Sequence, residues 1–144
     1  MPTRESAVNP PAALKIRARG VLYGLFAQLL VGMAVNLIGP DQTAGAAKIA
    51  GVVFLILHVL IAVVLLVGSI LTVVNARRTE TELAGLGWMG LVVIIVTFGA
   101  GVLTMITNSG WLSYLMAAGA TAALVIYGIL FVRAGQSRTQ EALG

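Results

Sequence analysis

Four long stretches free of charged side chains make up most of the chain, at residues 20–38, 49–76, 84–107 and 111–132. A helix needs about 20 apolar residues to cross a bilayer, so each stretch predicts one membrane span. The second is the longest. At about 1.5 Å per residue it exceeds a hydrocarbon core of about 30 Å, so it must tilt or protrude.

Polar punctuation separates the spans. Gly39-Pro40-Asp41 reads as a turn, with Asp41 or Thr43 placed to cap the second helix. Arg77-Arg78-Thr79-Glu80-Thr81-Glu82 forms the middle loop, and Asn108-Ser109-Gly110 a short uncharged link. Residues 1–13 are polar and proline-bearing and read as a disordered cytoplasmic tail. Asn9-Pro10-Pro11 suits a helix start, since proline fits the first turn. Residues 14–133 then form one transmembrane domain, and 134–144 a second cytoplasmic tail. The pattern predicts an all-α membrane protein, an antiparallel bundle of four transmembrane helices with short loops.

Composition narrows the class further. Of 144 residues, 59% are hydrophobic and 10% charged, with a mean hydropathy of +1.01. A soluble domain carries about 25% charged residues, so the shortage of charge excludes a soluble enzyme, and the apolar content excludes disordered and fibrous chains. The first apolar stretch is also longer than the roughly 7–15 residues of a signal-peptide core, and reads as a retained span.

The nine Lys and Arg residues set an orientation. Four precede the first span, two lie in the middle loop and two in the C-terminal tail, whereas only Lys48 lies in the first loop. Eight against one places both termini in the cytoplasm of a plasma membrane, the inner membrane of a bacterium. The net charge of +4 is then directed at anionic lipid headgroups, not at nucleic acid. Lys15, Arg17 and Arg19 with Trp88 and Trp111 are the expected lipid anchors, and Tyr23 and Tyr114 extend the aromatic belts.

Seams between membrane helices favour small and polar residues. At 100° per residue, such residues align as Gly24, Gln28 and Gly32 on the first span. On the second they align as Gly51, His58, Ala62, Ser69 and Thr72, and on the third as Gly90, Thr97, Gly101, Thr104 and Asn108. The fourth span gives Tyr114, Ala117, Thr121 and Gly128. Gln28, His58, Thr97 and Thr121 each fall about 15 Å from the outer end of their span, which predicts a shared polar layer inside the bundle. A local likeness of Tyr23-Gly24-Leu25 to Met89-Gly90-Leu91 hints at a duplicated hairpin.

The chemistry on offer is sparse. No Asp, Glu, Lys or Arg lies in any span, which removes the usual acids and bases and argues against transport coupled to a membrane carboxylate. Cysteine is absent, so disulfides, iron–sulfur clusters and c-type haem attachment are excluded. One histidine cannot make a metal site alone, and no phosphate loop occurs; no catalytic, metal or resident cofactor site is expected.

His58 remains as the one candidate for a cofactor or ligand contact. It either bonds Gln28, a threonine hydroxyl or a carbonyl as interhelical glue, or meets a polar ligand head such as a quinone carbonyl. Haem ranks lower, because its second axial ligand would have to be Met33, Met105, Met116 or a second copy of His58. Gly119 and Ala123 form a small-xxx-small pair that suggests a homodimer or a membrane-protein partner. The expectation is a non-enzymatic accessory or assembly protein acting through helix packing. The alternative is a binder or carrier of a small apolar or quinone-like ligand beside His58 and Gln28.

Overall fold

A computed structural model describes residues 10–38, 45–78 and 81–141. The N-terminal tail before Pro10, the Gly39-Pro40-Asp41 turn with its capping candidates, Thr79 and Glu80, and the last three residues lie outside them. Four helices account for nearly all the rest: α1 (Pro10–Ile38), α2 (Gly45–Ala76), α3 (Thr81–Thr107) and α4 (Gly110–Glu141). All four are long and apolar enough to cross a membrane. The chain is a multi-pass membrane protein folded as an all-α four-helix bundle.

The helices outrun the apolar stretches at several ends. Pro10 opens α1 within the stretch expected to be a disordered tail, and α4 runs on to Glu141, through most of the expected C-terminal tail. Hydropathy marks the membrane band, but a helix continues for as long as its backbone bonds and packing hold. Here the two extensions belong to one packed end. Leu14 and Ala134 are both completely buried, and the Lys15 ammonium stands 5.3 Å from the centre of the Phe131 ring.

The helices pack around a ring, α1 against α2 and α4, α3 against α2 and α4, and among the described residues only side chains, not backbones, approach each other across the diagonals. This is the up-down-up-down arrangement that short loops allow. Side chains fill the bundle unevenly. The half near the basic end is solid, with Leu14, Ala18 and Val21 of α1 packed against Leu83 of α3 and Tyr127 and Leu130 of α4. Ser69 and Thr72 of α2 are completely buried, and each donates its hydroxyl to a carbonyl of its own helix, at 2.7 Å to Leu66 and 2.8 Å to Gly68. Both hydroxyl protons are thereby satisfied within α2.

The centre of this half is a large side chain set into a glycine. Tyr127 is completely buried, and a Cβ placed on Gly90 would come within 2.7 Å of its ring. The same fit recurs between α1 and α2, where a Cβ on Gly24 would meet Leu65 at 2.8 Å. Gly24 and Gly90 thus do equivalent work in the two hairpins, each admitting a large residue from the following helix.

The expected inward stripe of α4 needs correction. Tyr114, Ala117 and Thr121 are exposed on the outside of the bundle, whereas Ala120, Ala123, Tyr127, Leu130 and Ala134 face in. Residues 117–123 are small on every side, so residue size could not select a face; the face was selected by Tyr127 fitting Gly90. Asn108, by contrast, keeps to the inner side of α3 with Thr97, Gly101 and Thr104, as expected. It stands exposed just past the helix end with φ 52°, its N–H donating to the Thr104 carbonyl at 2.8 Å, a left-handed cap that asparagine tolerates well.

Charges gather at the solid end. Arg77 stacks 4.9 Å above the centre of the Trp88 ring, and Arg133 approaches Glu82 at 3.4 Å. Both members of the latter pair are well exposed, so it contributes about 0–1 kcal/mol.

Candidate ligand-binding cavity

Away from the basic end the helices no longer fill the space between them. A cavity of about 640 Å³ opens there, walled by the C-terminal halves of α1 and α3 and the N-terminal halves of α2 and α4. Leu25, Leu65, Ile94 and Ala123, all part of the solid core, form its floor. Phe98, Val102, Met105 and Met116 supply apolar walls, and Asn36, Asn108 and Ser113 add polar groups. Its volume lies in the range of roughly 300–1,000 Å³ typical of small-molecule sites, and its mostly apolar lining with few polar groups is equally typical.

Gln28 and His58 come together in its wall. Gln28 Nε2 lies 3.1 Å from His58 Nε2, a hydrogen bond joining α1 to α2. Two atoms of the same pair, Gln28 Oε1 and His58 Nδ1, are shielded yet have no partner in the protein. A shielded polar atom without a hydrogen bond costs about 1–3 kcal/mol, so the pair is incomplete as interhelical glue. Gly32 makes room for the ring: a Cβ there would sit 3.0 Å from Cε1 and 3.4 Å from Nδ1.

The two threonines of the expected layer divide. Thr97 lines the cavity, packs against Gly119 and donates its hydroxyl to the Val93 carbonyl at 2.7 Å. Thr121 does not join them. It is exposed, contributes nothing to the cavity wall, and donates to the Ala117 carbonyl at 3.0 Å, for the same reason that the α4 stripe faces outward. Gly119 and Ala123 are turned inward, Gly119 against Thr97 and Ala123 completely buried, so this pair does not form the outward surface that a partner helix would need.

Of the expected anchors, Trp111 is 82% exposed and meets Tyr114 edge-to-face with ring centres 6.2 Å apart. Trp88 and Arg17 and Arg19 are exposed at the opposite end, while Lys15 is half-buried over Phe131. Met105 and Met116 of the haem-ligand candidates line the cavity with His58, and Met33 is exposed. Met116 is held by Gly101, where a Cβ would meet its sulfur at 2.9 Å. Among the described residues no three His, Cys, Asp or Glu side chains gather as a metal ion would require.

Sequence reasoning missed Phe98 and Ser113 as wall residues, and singled out Met105 and Met116 only as possible haem ligands beside His58. An apolar ring beside a cavity looks in the sequence like one facing lipid.

Fold and site together define a four-helix membrane bundle, solid at its basic end and hollow at the other, with a paired glutamine and histidine between the two. No protein-family model matches the chain, nor does any curated protein or solved structure.

Proposed function

We propose that this protein binds, and in that sense carries, a small and largely apolar ligand with a polar head, quinone-like in general build, in the cavity beside Gln28 and His58. The observation that carries the reading is the conjunction of a cavity of about 640 Å³ with two shielded, unpartnered polar atoms on residues of its wall. A bundle serving only as packing for a larger assembly gains nothing from either feature. The reading includes no catalytic step and no resident cofactor: the spans hold no acid or base for group transfer, and Gln28 already engages Nε2 of the only histidine.

Photolabelling tests it. An alkyl diazirine probe added to the protein in lipid nanodiscs is expected to mark Phe98, Met105 and Met116 in preference to outward residues such as Ile95 and Val96. Ala62 lines the cavity one turn from His58, and Ala62→Trp is expected to remove most of the label at these sites. Label spread evenly over outward and cavity positions, unaffected by Ala62→Trp, would exclude a ligand site.

The membrane proposed is a bacterial-type plasma membrane with both termini cytoplasmic. Among the described residues Lys15, Arg17, Arg19, Arg77, Arg78 and Arg133 stand at one end of the bundle and Lys48 at the other, the asymmetry that orients spans. The hollow end then faces outward. The chain has no cysteine, so single cysteines report topology without background. An impermeant thiol reagent applied to intact cells is expected to label Thr43→Cys and spare Ser137→Cys; the reverse pattern would invert the orientation.

A further inference from the structure

Each hairpin of the bundle is drawn together in its hollow half, whereas the two hairpins part from one another there. Within the α1–α2 hairpin, Gln28 bonds His58 at 3.1 Å and the His58 ring sits over Gly32. Within the α3–α4 hairpin, Thr97 packs on Gly119 and Met116 on Gly101. Between the hairpins, α2 and α3 meet closely at the basic end, where a Cβ on Gly87 would stand 3.5 Å from Val73 and from Ala76. Further out they separate around the cavity. Successive residues of a helix are turned by about 100°. With Thr97 and Gly101 directed at α4, Phe98 and Val102 therefore come round to the α2 side. By the same step His58 faces α1, and Val59 turns with Leu55 toward α3. All four residues line the cavity, and Val59 and Val102 are 37% and 44% exposed.

The lips of this slit are wholly apolar and lie in the hydrocarbon band. Val59 comes ten residues after Ile49 and Val102 five before Thr107. At about 1.5 Å per residue, that is about 15 and 8 Å inside the ends of their apolar stretches. The polar wall residues Asn36, Asn108 and Ser113 stand instead near the helix ends, at the level of the membrane surface.

We propose that the ligand is an uncharged lipid of the leaflet at the hollow end, which enters sideways from the bilayer between α2 and α3. The inference rests on the proposed ligand-binding reading and narrows it to a class and a source. A slit at hydrocarbon depth opens onto acyl chains, so a molecule already dissolved there reaches the cavity without crossing water. A charged head would have to pass lips that offer it neither partner nor water, and no span holds an acid or base to pair with it. Inside the hydrocarbon such a charge costs about 2.5–3.5 kcal/mol on insertion scales, a cost that a neutral head avoids.

The absence of cysteine lets the slit be tested by tying it shut. Val59→Cys and Val102→Cys are joined in nanodiscs with a lipid-soluble, reducible bis-maleimide. A long-chain alcohol carrying a diazirine at its chain end is then added to the bilayer. Linked molecules are expected to lose most of the label at Met116 on α4, and to regain it on reduction. The phosphate ester of the same alcohol, matched for its amount in the bilayer, is expected to label Met116 at least about tenfold less. Ser113→Trp, which narrows the polar mouth, is expected to leave labelling unchanged. Lips that cannot be linked, or linked molecules labelled as fully as unlinked ones, would overturn the sideways entry. Equal labelling by the two probes would overturn the uncharged class and assign the cavity to the tail of a charged lipid. In each of these cases Ala62→Trp still removes the label, and the ligand site stands. If neither probe labels Met116, or Ala62→Trp leaves the label in place, the ligand site fails as well.

Discussion

Gly90→Ala is expected to destabilise the bundle by about 1–3 kcal/mol, the range for forcing extra carbon into a filled interior. The new Cβ would stand 2.7 Å from Cε2, 2.9 Å from Cζ and 3.1 Å from Oη of Tyr127. That ring cannot retreat, since it is completely buried among core residues of the solid half. Between membrane helices there is little hydrophobic drive to absorb the loss, because lipid tails are as apolar as the core; close packing is what holds the seam. Gly99 on the same helix is the control, with nothing within 4 Å of its would-be Cβ. Gly99→Ala is expected to be neutral or to stabilise by up to about 1 kcal/mol, since glycine is a poor helix former. Thermal unfolding in detergent micelles separates the two. Pairing Gly90→Ala with Tyr127→Leu is expected to cost less than the sum of the single changes, because the collision is removed. Equal midpoints for Gly90→Ala and Gly99→Ala would mean that α3 and α4 do not meet through this pair.

His58→Ala is expected to separate binding from stability. It removes one interhelical hydrogen bond, worth about 0.6 kcal/mol on average in membrane proteins. The space left by the ring merges with an existing cavity, so no new void is cut into a packed core. The net loss of stability is therefore expected to be on the order of 1 kcal/mol, and the unfolding midpoint to shift less than in Gly90→Ala. Contact with a polar-headed ligand is expected to suffer far more, with photolabelling of Met105 and Met116 by a diazirine probe that carries a polar head falling on the order of tenfold as the polar anchor disappears. A His58→Ala protein that unfolds readily but labels normally when kept folded would mark the residue as structural glue.

These two experiments probe the two halves of the bundle, and the halves differ in how much of them the sequence discloses. The spans were legible because hydropathy measures the same apolar band that a membrane demands, and the ends at Ile38, Ala76 and Thr107 coincide with helix ends. The added turns of α1 and α4 were not, since polar residues outside that band do not stop a helix. Gln28 beside His58 was legible from depth arithmetic on two otherwise apolar helices. The orientation of α4 was hidden because a run of alanines offers every face equally, and only Tyr127 meeting Gly90 decides between them. The cavity was hidden for a related reason. Gly24, Gly32 and Gly90 are each filled, by Leu65, His58 and Tyr127, yet beyond the His58 ring the opposing helices leave space. Whether a gap closes depends on the partner side chain, which no single helix encodes.

Native mass spectrometry of the protein released directly from its own membrane tests the central claim, that the hollow half is a ligand site. The wild-type protein is expected to carry a small-molecule adduct that survives detergent exchange. Ala62→Trp, which fills the cavity beside His58, is expected to lose it while keeping the same helical content and unfolding midpoint. A wild-type spectrum without any adduct, or an adduct retained equally by Ala62→Trp, would contradict the claim.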